Sequence, residues 1–328
     1  MKMNIVRFAL CFFLIAHCAF AQAQQPTKVP RIGYLAGTSP SGIADRIQAF
    51  REGLRELGYV EGKNIVIEYR YAEGKADRER ELAEELVRLK VDVIVTAGSA
   101  ATRPTKKATN TIPIVMTNEG DPVGTGFVAS LARPGGNITG LSNLAPELSG
   151  KRLELLKEII PKLSRVAVFR TSTQPGSAQS LKEVELAANA FGVKVQNLDV
   201  LGSKDIETAF RAANKGRADA VLMMASGAVV SAHQIAIAEL AVKNRFPVIY
   251  SFSQFVEAGG LMSYGVNQYD LDHRAATYVD RILKGATPAD LPVEQPRKFE
   301  FIINLKAAKQ IGLTVPPNVL ARADKVIR

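Results

Sequence analysis

Short apolar runs alternate with amphipathic stretches along most of the chain, and this alternation limits the possible folds more than any other feature. Residues 91–96 form a near-continuous apolar run, which is typical of a strand buried on both faces of a parallel sheet. Residues 43–57 place apolar side chains at helical spacing, and Gly58 ends that stretch. Strands that alternate with helices predict an α/β fold built on an open, doubly wound sheet.

The second half of the chain repeats the pattern of the first. Residues 91–99 resemble residues 218–227, and residues 112–115 resemble residues 246–249. Two similar α/β lobes in tandem explain this most economically, although independent βα segments can also converge on such a pattern. We expect two doubly wound, Rossmann-like lobes joined by a multi-strand hinge. Lobe one would comprise residues 28–144 plus about 266–292, and lobe two residues 145–265 plus about 293–328.

The first 23 residues have the features of an export signal. Lys2 and Arg7 give a positive start, residues 8–16 are apolar, and residues 21–23 form an A-x-A processing site. The apolar run is shorter than the roughly 20 residues that a spanning helix needs. We therefore predict cleavage after Ala23 and a periplasmic location.

Both cysteines, Cys11 and Cys18, fall inside this signal, so we expect no thiol, disulfide or cysteine-ligated metal in the mature protein. A lipoprotein signal ending at Cys18 is the alternative, but His17 stands where a small residue is expected. The formal net charge of +10 could indicate nucleic-acid or membrane binding. Because basic and acidic residues are interleaved on the helix faces, we interpret the charge as a solvated surface and expect no nucleic-acid partner.

The sequence gives no support to catalysis. The histidines beyond the signal, His233 and His273, lie on separate predicted helices, and no G-x-S-x-G motif is present. Residues 58–64 match a phosphate-binding loop only loosely, because the glycine spacing is one residue short and Asn64 replaces Ser or Thr. No metal-binding motif stands out. We therefore predict no catalytic residue, no metal and no cofactor.

Small hydroxyl and amide residues follow the predicted strands, at the edge where α/β sheets bind ligands. The helices that start at Ser99 and Ser226 would offer free N–H groups suited to a carboxylate, although these residues could simply cap their helices. The candidate ligand-binding residues are Thr38, Ser39, Ser99, Ala100, Asn118 and Asp121 in lobe one, and Thr171, Ser172, Ser226, Gly227, Ser251 and Phe252 in lobe two.

Residues 113–140 combine an apolar run, a polar loop, a predicted helix at 123–131 and a turn at 133–137. Asp121 has two possible roles in this stretch. Its carboxylate could bind an amine or hydroxyl of a ligand, or it could cap the helix, since Pro122 suits the first helical position. The sequence leaves both roles open.

Four motifs carry a family resemblance. They are FREGLRELGYVEGKN (residues 50–64), DPVGTGFVASLARPGGNITG (residues 121–140), AGGL (residues 258–261) and ILKG (residues 282–285). With them, the chain resembles the ABC-transporter substrate-binding proteins of the tryptophan/tyrosine-type binding-protein family. The resemblance implies the type I periplasmic-binding-protein fold and a monomer that closes around a small molecule by hinge motion. It also implies delivery to an inner-membrane ABC permease with a cytoplasmic ATPase.

The chain departs from that family where an amino-acid ligand would bind. Members with known ligands bind aromatic amino acids and commonly place Asp-Asn after the central strand of lobe two, whereas this chain has residues 225–227, Ala-Ser-Gly. Asp272 and His273 also replace a more usual Gly. An aromatic or aliphatic carboxylate without an amine is therefore an alternative to an aromatic amino acid.

Three other functions are alternatives to a transport receptor. A receptor that hands its ligand to a membrane sensor stays open, and an exported enzyme is disfavoured by the missing nucleophile–base pair. A ligand-sensing repressor would need a DNA-binding headpiece where this chain has its export signal.

Overall fold

Two sheets, both flanked by helices, organise the protein. The computed structural model describes residues 29–328, so the predicted export signal lies outside the described residues. The first sheet contains β1 (Arg31–Ala36), β2 (Val66–Tyr71), β3 (Val93–Thr96), β4 (Ile114–Glu119) and β5 (Ile138–Ser142), with helices α1 (Ala44–Glu56), α2 (Ala76–Arg88) and α3 (Ser99–Ala108) between its strands. All its pairings are parallel.

The second sheet has seven strands. They are β6 (Arg165–Arg170), β7 (Lys194–Asp199), β8 (Ala220–Met223), β9 (Val248–Tyr250), β10 (Met262–Val266), β11 (Phe299–Asn304) and β12 (Lys325–Ile327). The helices of this part are α4 (Ala145–Ile159), α5 (Ser177–Phe191), α6 (Ser203–Lys215), α7 (Ala228–Ala232), α8 (Gln234–Lys243), α9 (Gln254–Glu257), α10 (Gln268–Leu283), α11 (Leu305–Ile311) and α12 (Pro317–Leu320). Only the β10–β11 pairing is antiparallel within this sheet.

The two sheets share one strand order. The first runs β2-β1-β3-β4-β5, and the second contains β7-β6-β8-β9-β10 before β11 and β12 extend it. In such an order, successive strands are added first to one side of the first strand and then to the other, so the order reverses between the first and third strands. The carboxyl ends on either side of that point form a crevice. The predicted fold class, two doubly wound lobes joined by several crossing segments, is therefore confirmed.

Helix α10 follows a strand of the second sheet but packs against the first. Leu271, Ala275 and Val279 share a buried cluster with Ile47 and Phe50 of α1. The two helices come close at Gly53, where a β-carbon would lie 2.3 Å from the carbonyl oxygen of His273. The chain thus passes between the sheets after β5, after β10 and before β11.

The predicted helix at residues 123–131 is wrong. Residues 122–126 form a turn and the segment continues without regular structure to β5. Gly124 and Gly126 lower helix propensity, and Gly126 adopts a φ of 71°, which ends a helix. The crossover from β4 to β5 therefore contains no helix. After Pro316 the chain forms only the short helix α12 before the edge strand β12.

Candidate ligand-binding site

A cleft separates the two sheets at the carboxyl ends of their central strands, and it encloses a cavity of about 350 Å³. Nine of the twelve predicted residues line it: Thr38, Ser99, Ala100, Asn118, Thr171, Ser226, Gly227, Ser251 and Phe252. They lie together because they stand at the carboxyl ends of β1, β3 and β4 in lobe one and of β6, β8 and β9 in lobe two, the edge where parallel α/β sheets bind ligands. A contact between these residues and a ligand stays a prediction.

Ser39, Asp121 and Ser172 lie outside the lining of this cavity. The Ser39 hydroxyl lies 3.2 Å from that of Ser41, and the backbone N–H of Ser172 donates to Asp199 Oδ1 at 3.0 Å. Asp121 Oδ1 accepts a hydrogen bond of 2.7 Å from the N–H of Gly124. Asp121 therefore caps the turn at residues 122–126. Capping was one of its two expected roles, but the capped element is a turn and not a helix.

Neither helix that starts at the cleft is capped by its own serine. Gly98 and Gly227 occupy the cap positions of α3 and α7, both at positive φ, and neither helix has a side-chain cap. The Ser99 hydroxyl instead donates to Glu119 Oε1 at 2.5 Å. Ser99 thus links α3 to the end of β4.

Arg152 is a buried cation that lines the cleft and is absent from the residues predicted from the sequence. It lies on α4, and only 3% of its surface is exposed to solvent. Its Nε donates to the carbonyl oxygen of Tyr264 at 2.7 Å and its Nη1 to the hydroxyl of Ser149 at 3.4 Å. No carboxylate in residues 29–328 forms an ion pair with it. Burial lowers the pKa of Arg152 to about 10, because loss of solvent disfavours the charged form.

A second arginine of the cleft, Arg46, is fully paired. Its Nε lies 2.6 Å from Oδ2 of the buried Asp272, and its Nη2 donates to Thr117 at 3.0 Å and to Asp272 Oδ1 at 3.2 Å. The hydroxyl of Tyr34 also donates to Asp272, at 3.5 Å. Burial lowers the pKa of Arg46, but Asp272 and Tyr34 together outweigh burial, so the pKa is raised above its ordinary value.

Glu79 brings a carboxylate to the cleft from α2. Its Oε1 lies over Gly37, 2.6 Å from where a β-carbon on that residue would stand. Its side chain makes no hydrogen bond or ion pair with any other described residue. Burial raises the pKa of Glu79 to about 7, since no nearby cation offsets the desolvation.

Below Asn118, two buried acceptor atoms have no hydrogen-bond donor among the described residues. Asn143 Nδ2 donates to Asn118 Oδ1 at 2.6 Å, which leaves Asn143 Oδ1 without a partner. Glu119 accepts from Ser99 and from the N–H of Gly120 through Oε1, while its Oε2 has none. Burial raises the pKa of Glu119 to about 7.

The two lobes touch at the rim of the cleft. Gln179 Nε2 of α5 donates to the carbonyl oxygen of Gly124 at 3.4 Å. At another point, the Ala228 methyl lies 3.1 Å from where a β-carbon on Gly74 would stand. The cavity is therefore bounded by contacts between the lobes as well as by its own walls.

Residues 29–328 contain no cluster of His, Cys, Asp and Glu side chains able to hold a metal ion. In the same range, no helix is both long enough and apolar enough to cross a membrane.

Comparison with known proteins gives consistent matches. The family model described as ABC transporter substrate binding protein matches residues 35–327. A tyrosine-binding protein of Clostridioides difficile is 27% identical over 266 residues, which are 81% of this chain and 76% of that protein. A conserved domain protein of Vibrio cholerae is 30% identical, with a TM-score of 0.85 over 91% of this chain and 100% of its own. An ABC domain of Streptococcus pneumoniae in complex with L-Trp is 27% identical, with a TM-score of 0.84 over 91% and 99%.

Proposed function

Because the chain belongs to the ABC transporter substrate-binding protein family, we propose that it captures a small organic acid between its lobes in the periplasm. It then delivers this acid, as a monomer, to an inner-membrane permease driven by a cytoplasmic ATPase. The observation that carries the choice of an acid is Arg152, a buried cation facing the cleft with no acidic partner in the described chain.

A buried charge without a counter-ion is costly, and proteins normally pair it or leave it in water. Ser149 and the Tyr264 carbonyl orient the guanidinium but supply no full negative charge. A ligand carboxylate does supply it, and charge-assisted hydrogen bonds to arginine are among the strongest in proteins. The carboxylate therefore binds at Arg152.

The rest of the ligand faces a lining of aromatic, aliphatic and hydroxyl side chains. Phe252 is the one aromatic side chain among the described residues that line the cavity, beside small hydroxyl groups and aliphatic side chains such as Leu148 and Val266. This lining accepts either an aromatic or an aliphatic acid. The amino acids tyrosine and tryptophan, named for the relatives, are candidates on the same terms as acids that lack an amine.

Binding closes the cleft by shifting a population. Contacts to both lobes exist together only when the lobes meet, and only such contacts favour the closed state. The segments that cross between the sheets, near residues 141–144, 265–267 and after 292, serve as the hinge.

A matched pair of variants tests this function. A thermal-shift screen of amino acids, aromatic acids and aliphatic acids first finds the best acid, and titration calorimetry then compares Arg152→Gln with Lys151→Gln. Both changes remove one positive charge from α4, but Lys151 lies outside the cleft and pairs with Glu154 at 2.5 Å. Arg152→Gln should weaken acid binding about a hundredfold, and Lys151→Gln should not.

Equal affinities in the two variants would contradict the assignment of Arg152. Failure of every acid to raise the melting temperature would contradict the proposed ligand class, since a ligand at 100 times its Kd stabilises by about 2.7 kcal/mol.

A further inference from the structure

Glu79 is the second charged side chain that lines the cleft without a partner in the described chain. It stands in the first turn of α2, where the helix dipole favours an acidic residue. That role does not require burial, as Asp77 of the same turn shows. The Asp77 side chain is 88% exposed and pairs with Arg80, whereas Glu79 turns inward over Gly37.

The two unpaired charges belong to opposite lobes. Arg152 projects from α4, whose buried side chains Leu153 and Leu156 pack with Val166 of the second sheet. Glu79 projects from α2, whose Leu82 and Leu86 pack in the first lobe. A ligand that satisfies both side chains therefore contacts both lobes.

We propose that the ligand is bipolar, with a carboxylate bound by Arg152 and a hydrogen-bond donor, an ammonium or a hydroxyl group, bound by Glu79. This inference rests on the proposed function, because it needs a ligand in the cleft. It adds a specificity-determining residue, since an acid without such a donor would leave the Glu79 carboxylate desolvated and unpaired in the closed state.

The shape of the cleft is consistent with a donor at this position. Glu79 also lines an adjoining cavity of about 380 Å³ between α2, α3 and residues 173–175. The two cavities share Ala100 and Gln174 as well. The donor thus lies at the junction of the two spaces, and a substituent beyond it extends into the second one.

Matched acids that differ only in the donor test the proposal. One set is leucine, leucic acid and isocaproic acid, with the donor next to the carboxylate. The other is ε-aminocaproic acid, ε-hydroxycaproic acid and caproic acid, with the donor at the far end. Titration calorimetry on the wild-type protein should show one set in which a donor-bearing acid binds at least about tenfold tighter than its plain acid.

Variants of Glu79 then identify the donor. Glu79→Leu should abolish the advantage of the donor-bearing acid, so that the two acids of that set bind within about twofold of each other. Glu79→Gln, which keeps an acceptor oxygen but not the charge, should preserve the advantage of a hydroxyl and reduce that of an ammonium. Glu81→Gln is the control, because it removes a charge from an exposed position of the same helix.

The inference and the proposed function fail in different ways. If plain acids bind as tightly as their donor-bearing partners, and Glu79→Leu changes neither, the bipolar ligand is wrong while an acid held by Arg152 stands. If no acid of either set binds and Arg152→Gln has no effect on any acid from the wider screen, the proposed function itself is wrong.

Discussion

The carboxylate of Asp272 is completely buried and holds the guanidinium of Arg46, with Nε and Oδ2 2.6 Å apart, although 226 positions separate the two residues. The pair joins α10, which enters from the second sheet, to α1 of the first lobe. It also fixes an arginine in the wall of the ligand cleft. The same ion pair therefore holds α10 against lobe one and fixes the position of Arg46 in the cleft.

Breaking this pair should destabilise the protein strongly. Asp272→Asn keeps the size of the side chain but leaves Arg46 without its counter-ion, and an uncompensated buried charge costs about 3 kcal/mol or more. The midpoint of urea denaturation should fall accordingly. In the double variant Arg46→Met with Asp272→Leu, which removes both charges, most of that loss should be recovered. An unchanged midpoint in Asp272→Asn would show that the pair contributes nothing.

The order of strands and helices could be predicted because it depends on local pattern. Apolar runs such as residues 91–96 and the glycine that ends α1 act within a few neighbours, and the chain direction then places the loops at one edge. The prediction failed at residues 123–131, where Asp121 and Pro122 have the pattern of a helix start. There the low helix propensity of Gly124 and the positive φ of Gly126 outweigh that start signal.

The charged residues of the cleft were missed for a different reason. Arg46 and Arg152 each share a helix face with apolar residues, four positions from Phe50 and Leu148 respectively. A cation on a buried face was an available signal. Its partners could not be read from the chain, because Asp272 and the Tyr264 carbonyl are distant in sequence.

Glu119 should make stability depend on pH. Burial raises the pKa of Glu119 from 4.5 to about 7, so between these pH values the folded chain holds more protons than the unfolded one. The free energy of unfolding should therefore fall as the pH rises through this window. The stability that the protonated Glu119 contributes is fully present below pH 4.5 and is lost as the pH rises through about 7. Glu119→Gln, which mimics the neutral acid, should remove up to about 3 kcal/mol of this dependence.

Urea denaturation of the ligand-free protein at several pH values checks this expectation. The same measurement on Glu79→Gln determines the contribution of Glu79, the other carboxyl group whose pKa is raised to about 7. An equally steep pH dependence in wild type and Glu119→Gln would rule out Glu119 as its source.

Gly140 should tolerate no side chain. It has a φ of 134°, and a β-carbon there would lie 2.1 Å from the carbonyl oxygen of Met116 on the neighbouring strand. Gly140→Ala should therefore cost about 2 kcal/mol or more in the free energy of unfolding. Gly136→Ala is a suitable control, because no atom lies within 4 Å of its β-carbon position. Similar stabilities of the two variants would show that β4 and β5 can move apart freely.

Asp121 allows its two expected roles to be separated. Its Oδ1 accepts from the N–H of Gly124, and the carbonyl of Gly124 accepts from Gln179 of the other lobe. Asp121→Ala should therefore lower the free energy of unfolding by about 1 kcal/mol, as the loss of a cap does. Asp121→Asn, which keeps an acceptor oxygen, should restore most of it. Calorimetry should find the ligand's Kd changed only severalfold in both. If Asp121→Ala instead abolished binding at unchanged stability, its carboxylate would be a ligand contact, and the cap in the ligand-free turn would be incidental.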